Sequence, residues 1–458
     1  MVKPATRLIL LVGLCFAASS VSAGSWRAGT AEVVITPQHA LWMAGYAART
    51  KPSEGVALDL YAKALVLEDG EGNRAALVTL DLLGFPAQWT DGVAEEIGKA
   101  TGLRREQVLF NASHTHSGPA LGDVLEVAYP MTDARRADVR AYTLGLADKL
   151  VGLVKAAVAD MEICKVSAGS TEVPFAVNRR VPTVGGHVIG ANRLGPVDHR
   201  VPFLVVDTDR GAMKAVVFGY SCHNTTLGAE NYLFHGDYAG VAQAWLEARY
   251  PGALALFVNG ASGDANPYPR GSLELVEEHG MQLAKALDCA VTGPLVPVSA
   301  TLKTAFEREI LKFQEPPTRA ELEARLQEDD VYRKKHAQLL LRRLEETGEI
   351  SRDYPYPIQV FQLGDRVTLV ALGGEVVGDY ARRLRRETND PDLWLAGYSN
   401  DVTSYIPSAR VLSEGGYEPE ESTIYYGQPA PFDPSIEERI VGKVVQMCGV
   451  LKDRGGRK

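Results

Sequence analysis

Short, wholly apolar runs recur along this chain, and they constrain its fold more than any other feature. Val201 to Val206, Ala215 to Tyr220, Ala253 to Val258, Val367 to Leu372 and Leu393 to Ala396 are too short for helices and read as buried strands. Lys63 to Glu68 and Ala75 to Leu80 flank Asp69-Gly70-Glu71-Gly72-Asn73 and read as a hairpin. Ala137 to Asp160, Tyr238 to Arg249 and Ser272 to Leu287 carry apolar residues at helical spacing. Strands alternating with helices predict an α/β protein with mixed β-sheets flanked by helices. Gly70-x-Gly72 resembles a degenerate dinucleotide fingerprint, but a strand rather than a helix follows it, which excludes that reading.

The chain has 458 residues and a formal charge of −9, so no basic footprint for nucleic acid is present. Lys3 and Arg7 precede an apolar stretch from Leu8 to Ala18, and Val21-Ser22-Ala23 offers small residues for a signal peptidase. Residues 1–23 are therefore expected to be a signal peptide, making the protein secreted or periplasmic. Cys15 follows Leu14, which argues against a lipoprotein box. No later apolar run is long enough to span a bilayer. Cys164, Cys222, Cys289 and Cys448 would remain after cleavage, without CxxC spacing, and they leave disulfides and free thiols both open. One catalytic domain is expected over 24–450 and a disordered tail over 451–458. Within the domain, 317–346 is charge-dense and helical, with Leu322, Leu326, Leu339, Leu340 and Leu344 as an apolar stripe. It reads as a packed surface excursion, with a lid as the alternative.

The ends of the strands carry the chemistry. His114 and His116 follow Val108-Leu109-Phe110, His223 follows Ala215 to Tyr220, Asp264 and Asn266 follow Ala253 to Val258, Glu375 follows Val367 to Leu372, and Tyr405 lies beyond Leu393 to Ala396. Taken alone, each is an ordinary loop residue. Together they lie where α/β proteins build sites, at the carboxyl ends of strands. Imidazole and carboxylate suit a catalytic zinc ion that keeps one position open for water. The chain has no GxSxG elbow, HExxH helix or GxxxxGK[ST] loop.

The order of these segments resembles the neutral/alkaline non-lysosomal ceramidases. The blocks are Ala112-Ser113-His114-Thr115-His116-Ser117-Gly118-Pro119, Asn178-Arg179, Cys222-His223-Asn224-Thr225-Thr226 with Gly236-Asp237-Tyr238-Ala239-Gly240, Gly263-Asp264-Ala265-Asn266-Pro267, Gly373-Gly374-Glu375, and Tyr398-Ser399-Asn400 through Tyr405 to Gly416-Tyr417-Glu418 and Tyr426-Gly427. The resemblance implies zinc bound by His114, His223, Glu375 and Tyr405. It implies substrate contacts from His116, Arg179 and Tyr417, with Asp237 and Asp264 as carboxylate partners of the imidazoles. His235, two residues before Asp237, is a further candidate for such a supporting role. The implied reaction is hydrolysis of an N-acyl amide in a ceramide-like lipid by zinc-activated water, with a membrane surface as one place to meet that substrate.

The chain departs from the family in two places. Asn266 stands where the family has a functional serine, and asparagine cannot act as a nucleophile or base. The family's C-terminal immunoglobulin-like domain is expected to be missing. A different amide or ester substrate, or a relative that only binds a lipid, therefore stays open beside ceramide hydrolysis. The sequons at Asn111 and Asn224 lie inside the expected site, which argues against glycosylation there.

Overall fold

Two β-sheets pack face to face in the computed structural model, which describes residues 25–453, and helices cover both outer faces. The larger sheet runs in the order Leu254–Asn259, Met213–Tyr220, Arg200–Thr208, Glu162–Glu172, Trp26–Val34, Tyr61–Glu68, Arg74–Leu80, Val108–Ala112. Its two end pairs are parallel and the inner pairs antiparallel. The smaller sheet runs Leu302–Lys312, Asp353–Leu363, Val367–Leu372, Trp394–Ala396, with only the last pair parallel.

Burial on both sides explains the wholly apolar runs. Along Tyr61–Glu68, Ala62, Ala64 and Val66 face the helices Ala87–Thr101 and Asp133–Ala159, while Leu65 and Leu67 face the smaller sheet. The core between the sheets joins Trp26, Leu77, Val217 and Leu256 to Phe361, Leu369 and Trp394. The helices Asp237–Arg249 and Leu273–Val291 cover the other half of the large sheet. Asp379–Glu387 and Ile436–Asp453 cover the small one through Tyr380, Leu384, Ile440 and Val444.

The large sheet curls until its two end strands meet. Asn111 Oδ1 accepts from the Asn259 amide at 2.8 Å, and Asn111 Nδ2 donates to the carbonyls of Gly397 (2.7 Å) and Asn259 (3.4 Å). This one side chain ties the exits of three strands together, which brings the loops after them onto a common site. Asn111 and Asn224 are both fully buried with their amides engaged, in keeping with the expectation that neither is glycosylated.

Every run read as a strand is a strand, and the three expected helices are present. The excursion is two helices, Arg319–Arg325 and Val331–Thr347, closed over Leu322, Ala337 and Leu340. The last helix runs to Asp453 and so takes in the first three residues of the expected tail. Residues 1–23, read as a leader, and 454–458 lie outside the described residues. Among the described residues all four cysteines are free, and no helix is long and apolar enough to cross a membrane.

Candidate active site

His114 sits one residue beyond Ser113, whose amide donates to the Leu80 carbonyl as the Val108–Ala112 strand ends. Its backbone takes φ = 62°, a conformation that side chains other than glycine adopt rarely and that clusters at functional sites. There its Nδ1 donates to the Leu83 carbonyl at 2.6 Å. His223 follows the Met213–Tyr220 strand, and its Nδ1 donates to the Ser262 carbonyl at 2.6 Å. Glu375 and Tyr405 are direct partners in a two-residue parallel pair, Glu375–Val376 with Tyr405–Ile406.

These anchors aim one atom of each side chain at a common point. His223 Nε2 lies 2.9 Å and His114 Nε2 3.2 Å from Oε2 of Glu375. Tyr405 Oη is 3.5 Å from His223 Nε2. His116 Nε2 is 3.1 Å from His114 Nε2, and the ligand atoms of the three imidazoles all fall within 4.8 Å of one another. Tyr398 and Tyr426 donate their hydroxyls to Glu375, to Oε2 at 3.4 Å and Oε1 at 2.5 Å.

The donor chemistry of this cluster fits a cation. A carbonyl can only accept, so both Nδ1 atoms carry protons, and the Nε2 atom of each ring is the one that faces inward. Burial first, and then the Arg179 guanidinium, pushes His223 down to about 4, so near neutral pH it is uncharged. Burial would raise the Glu375 carboxyl, but His114 and His223 beside it hold it well below its usual range. Two imidazole nitrogens thus meet one carboxylate oxygen at hydrogen-bond distance. A metal ion satisfies such an arrangement, and a nitrogen and oxygen donor set suits zinc.

A charged scaffold surrounds the cluster. Arg179 donates through Nη2 to Tyr405 Oη (2.9 Å) and through Nε to Glu418 (2.8 Å), and its Nη1 lies 3.1 Å from His223 Nε2. Glu418 also pairs with Arg180, and all three side chains are buried. Glu418 is the second residue of a π-helical turn, Tyr417–Glu421, that follows the positive-φ glycines Gly415 and Gly416. Arg49 is fully buried and donates to the carbonyls of Ala44, His116 (2.7 Å) and Asn231 (3.0 Å), so it pins the loop bearing His116. Gly45, at φ = 101°, lies so close that a Cβ there would come within 2.5 Å of His116 Nδ1.

A cleft of about 300 Å³ opens onto the cluster and is lined by His116, Arg179, Asn266, Tyr405, Tyr417 and Ile189, among others, with no Asp or Glu in its wall. Burial, and then His114 and His223, hold His116 well below the usual histidine range. Asn266 Oδ1 accepts from Thr225 (3.4 Å) and Arg179 (3.5 Å). The Tyr417 ring packs 5.6 Å from that of Tyr405. Tyr332 of the helical excursion donates to Ala47 and packs on Tyr425, so the excursion buttresses the cleft wall.

The eight residues singled out from sequence as catalytic or metal-binding therefore come together. The carboxylate partners differ. Asp264 accepts from Gly378 N (2.8 Å) and Asn178 Nδ2 (3.0 Å), and Asp237 accepts from Leu227 N and Tyr238 N. Neither meets an imidazole, because the Leu83 and Ser262 carbonyls already occupy both Nδ1 positions. His235 Nδ1 accepts from the Asp237 amide and also stays out of the cluster. Tyr398, Glu418 and Tyr426 stand in the family blocks read from sequence, but no role was assigned to them there, and Arg49 was missed.

A family model described as neutral/alkaline non-lysosomal ceramidase, N-terminal, matches residues 26–283. That is more than half of the chain, and the chain belongs to this family. A neutral ceramidase of Drosophila pseudoobscura pseudoobscura is 24% identical over 289 residues, covering 57% of this chain and 38% of the relative. Neutral ceramidase A of Dictyostelium discoideum is 25% identical over 268 residues, covering 54% and 36%. The match thus spans little more than a third of these relatives. The crystal structure of neutral ceramidase from Pseudomonas aeruginosa superposes with a TM-score of 0.73 at 19% identity, over 94% of this chain and 75% of that one. A ceramidase complexed with C2 gives 0.74 at 18% identity. These likenesses establish the fold.

Proposed function

We propose that this protein is a secreted or periplasmic zinc-dependent hydrolase that cleaves the amide of an N-acyl lipid. The observation that carries the reading is the convergence of His114 Nε2 and His223 Nε2 on Glu375 Oε2. In this reading His114, His223, Glu375 and Tyr405 hold the zinc ion. When bound, zinc supplies Lewis-acid polarisation and a water of lowered pKa. Water adds to the acyl carbon and the carbon–nitrogen bond breaks, releasing a fatty acid and an amine. His116, neutral and in the cleft wall, takes the proton from water and returns it to the leaving nitrogen. Arg179 and Tyr417 donate to the developing oxyanion, which is usually the largest contribution in such sites. Asn266 accepts hydrogen bonds at the substrate's flank and takes no proton, so its difference from the family serine bears on which acyl amide is preferred.

The test is metal content and turnover of the mature protein beside His223→Ala. About one zinc per chain in the wild type, lost in the variant together with hydrolysis of N-acyl sphingoid or N-acyl amino substrates, supports the reading. A folded, zinc-supplemented wild type without metal sinks it. Zinc without turnover of any acyl amide or ester would leave a binding protein.

A further inference from the structure

Asn266 is where this cleft departs from the family pattern, and its hydrogen bonds show what an asparagine offers there. Its Oδ1 meets Arg179 Nη1 at 3.5 Å and Thr225 Oγ1 at 3.4 Å. A guanidinium holds only donors, so the atom toward Arg179 is the oxygen and the amide NH2 faces away from it. That NH2 has no hydrogen-bond partner among the described residues, on a side chain that lines the cleft.

Arg270, four residues on, lines the same cleft. The Thr225-Thr226 segment joins the two, since Thr225 donates to Asn266 and the Thr226 carbonyl accepts from the Gly271 amide at 2.7 Å. Arg270 is exposed but held in place. Its backbone is pinned on both sides, by that Gly271 bond and by the Tyr268 amide on the Phe175 carbonyl (2.9 Å). Its Nη2 donates to Tyr46 Oη at 3.0 Å, and that hydroxyl donates to the Leu227 carbonyl at 2.7 Å. The Tyr46 ring packs 4.8 Å from His116, so the guanidinium stands one side chain away from the imidazole cluster.

Charge then selects the ligand. Arg179, the other guanidinium at the cleft, is neutralised by Glu418. Arg270 has no ion-pair partner among the described residues, Glu274 and Glu277 on the helix that follows it included, and no Asp or Glu lines the cleft. An unpaired guanidinium and an unpaired amide NH2 on one short segment are donors awaiting an anion. The planar fork of arginine matches a carboxylate in particular. Leu125, Ala128 and Ile189 give the same cleft an apolar part that suits an acyl chain.

We infer that the cleft selects an acyl amide whose amine half carries a carboxylate, an N-acyl amino acid, through Arg270 and the Asn266 amide. The inference rests on the proposed function and narrows its substrate. Water adds to the acyl carbon and the carbon–nitrogen bond breaks, releasing a fatty acid and an amino acid. Arg270 meets the carboxylate and not the reacting atoms, so it sets affinity more than rate.

N-octanoylglycine and N-octanoylethanolamine differ at one end only, carboxylate against hydroxymethyl, and serve as the test pair. In the wild type kcat/KM should be about tenfold higher for the glycine compound, as a charge-assisted hydrogen bond allows. High salt should narrow that margin. In Arg270→Gln the ratio of the two should fall to near one, mainly through a raised KM for the glycine compound, and Arg270→Lys should recover part of it. Equal kcat/KM on the two compounds in the wild type, or a preference that survives Arg270→Gln, overturns the inference. If neither compound is hydrolysed, the proposed reaction is what fails, and calorimetric titration with the same pair then tests the site by itself. Tighter binding of N-octanoylglycine that Arg270→Gln removes upholds the inference, and equal binding of the two overturns it.

Discussion

Tyr426 donates its hydroxyl to Oε1 of Glu375 at 2.5 Å and so turns Oε2 toward His114 and His223. The carboxylate is thereby divided, one oxygen held by a phenol and the other presented to the imidazoles. Supporting hydrogen bonds of this kind orient metal ligands and typically change affinity 10–100-fold when removed (roughly). Tyr426→Phe is therefore expected to weaken zinc binding by about that factor while leaving the circular dichroism spectrum unchanged. Competition with a calibrated chelator reads the effect, and an unchanged zinc affinity would show that Tyr426 only packs.

Gly263 carries the backbone behind the same carboxylate. Its amide donates to the Val376 carbonyl at 2.8 Å, and a Cβ on it would lie 2.5 Å from the Glu375 carbonyl oxygen. Both partners are backbone, so neither can swing away. Gly263→Ala should destabilise the fold by about 1–3 kcal/mol, as overpacked cores do. Gly152, inside the long helix Asp133–Ala159, is the control, since a Cβ there meets nothing within 4 Å. Gly152→Ala should stabilise by about 0.5–1 kcal/mol. Thermal or urea unfolding of both variants separates the steric effect from general intolerance of alanine.

The strands and their terminal ligands were legible because burial on both faces writes an unbroken apolar run, and the ligand then stands just past it. His114, His223 and Glu375 could be found in this way. The groups that orient them could not. Both imidazole partners are backbone carbonyls, of Leu83 and Ser262, and a carbonyl has no signature in side-chain sequence. Tyr398 and Tyr426 stand in family blocks, but that they hold Glu375 follows only from where the chain folds them. The paired strands Leu302–Lys312 and Asp353–Leu363 went unassigned for a different reason. One exposes Glu307, Arg308 and Lys312, and the other holds Pro355 and Pro357, both features that weaken a strand reading. The expectation of carboxylate partners failed at Asp264, which instead braces two loops through Gly378 and Asn178.

Asp401 offers a pH test away from the metal cluster. Its carboxylate accepts from Tyr354 Oη (2.7 Å), Thr403 Oγ1 (3.0 Å) and the Ala87 amide (3.1 Å), yet burial outweighs these donors and pushes it up to about 6. Between its ordinary value of 3.8 and about 6, the folded protein keeps a proton that the unfolded chain has lost. Stability from this group is therefore present at low pH and lost as pH rises through that window. Asp401→Asn removes the dependence. The stability advantage of the wild type over the variant should shrink by up to roughly 3 kcal/mol between about pH 4 and pH 7. Asp264, also raised to about 6 by burial, is present in both proteins and cancels in the difference. Urea midpoints at the two pH values measure it, and a difference that stays flat would refute the assignment.

Glu418 is the anchor on which the proposed oxyanion group depends. It neutralises Arg179 and Arg180 together, with side chains 2% to 6% exposed in all three. Burial alone would raise its carboxyl, but the two guanidinium groups overcome this and hold it below the usual range. Glu418→Gln leaves two buried arginines short of a counter-charge, and breaking a buried pair from one side costs about 3–5 kcal/mol. Arg179 then has Tyr405, His223 and Asn266 as its remaining side-chain neighbours and can turn away from the cleft. The expected kinetic signature is a fall in kcat larger than any rise in KM, since the lost contact acts on the transition state. Glu418→Asp keeps the charge and should recover part of both stability and kcat. Equal losses in the two variants would mean that shape, and not charge on Arg179, is what this position supplies.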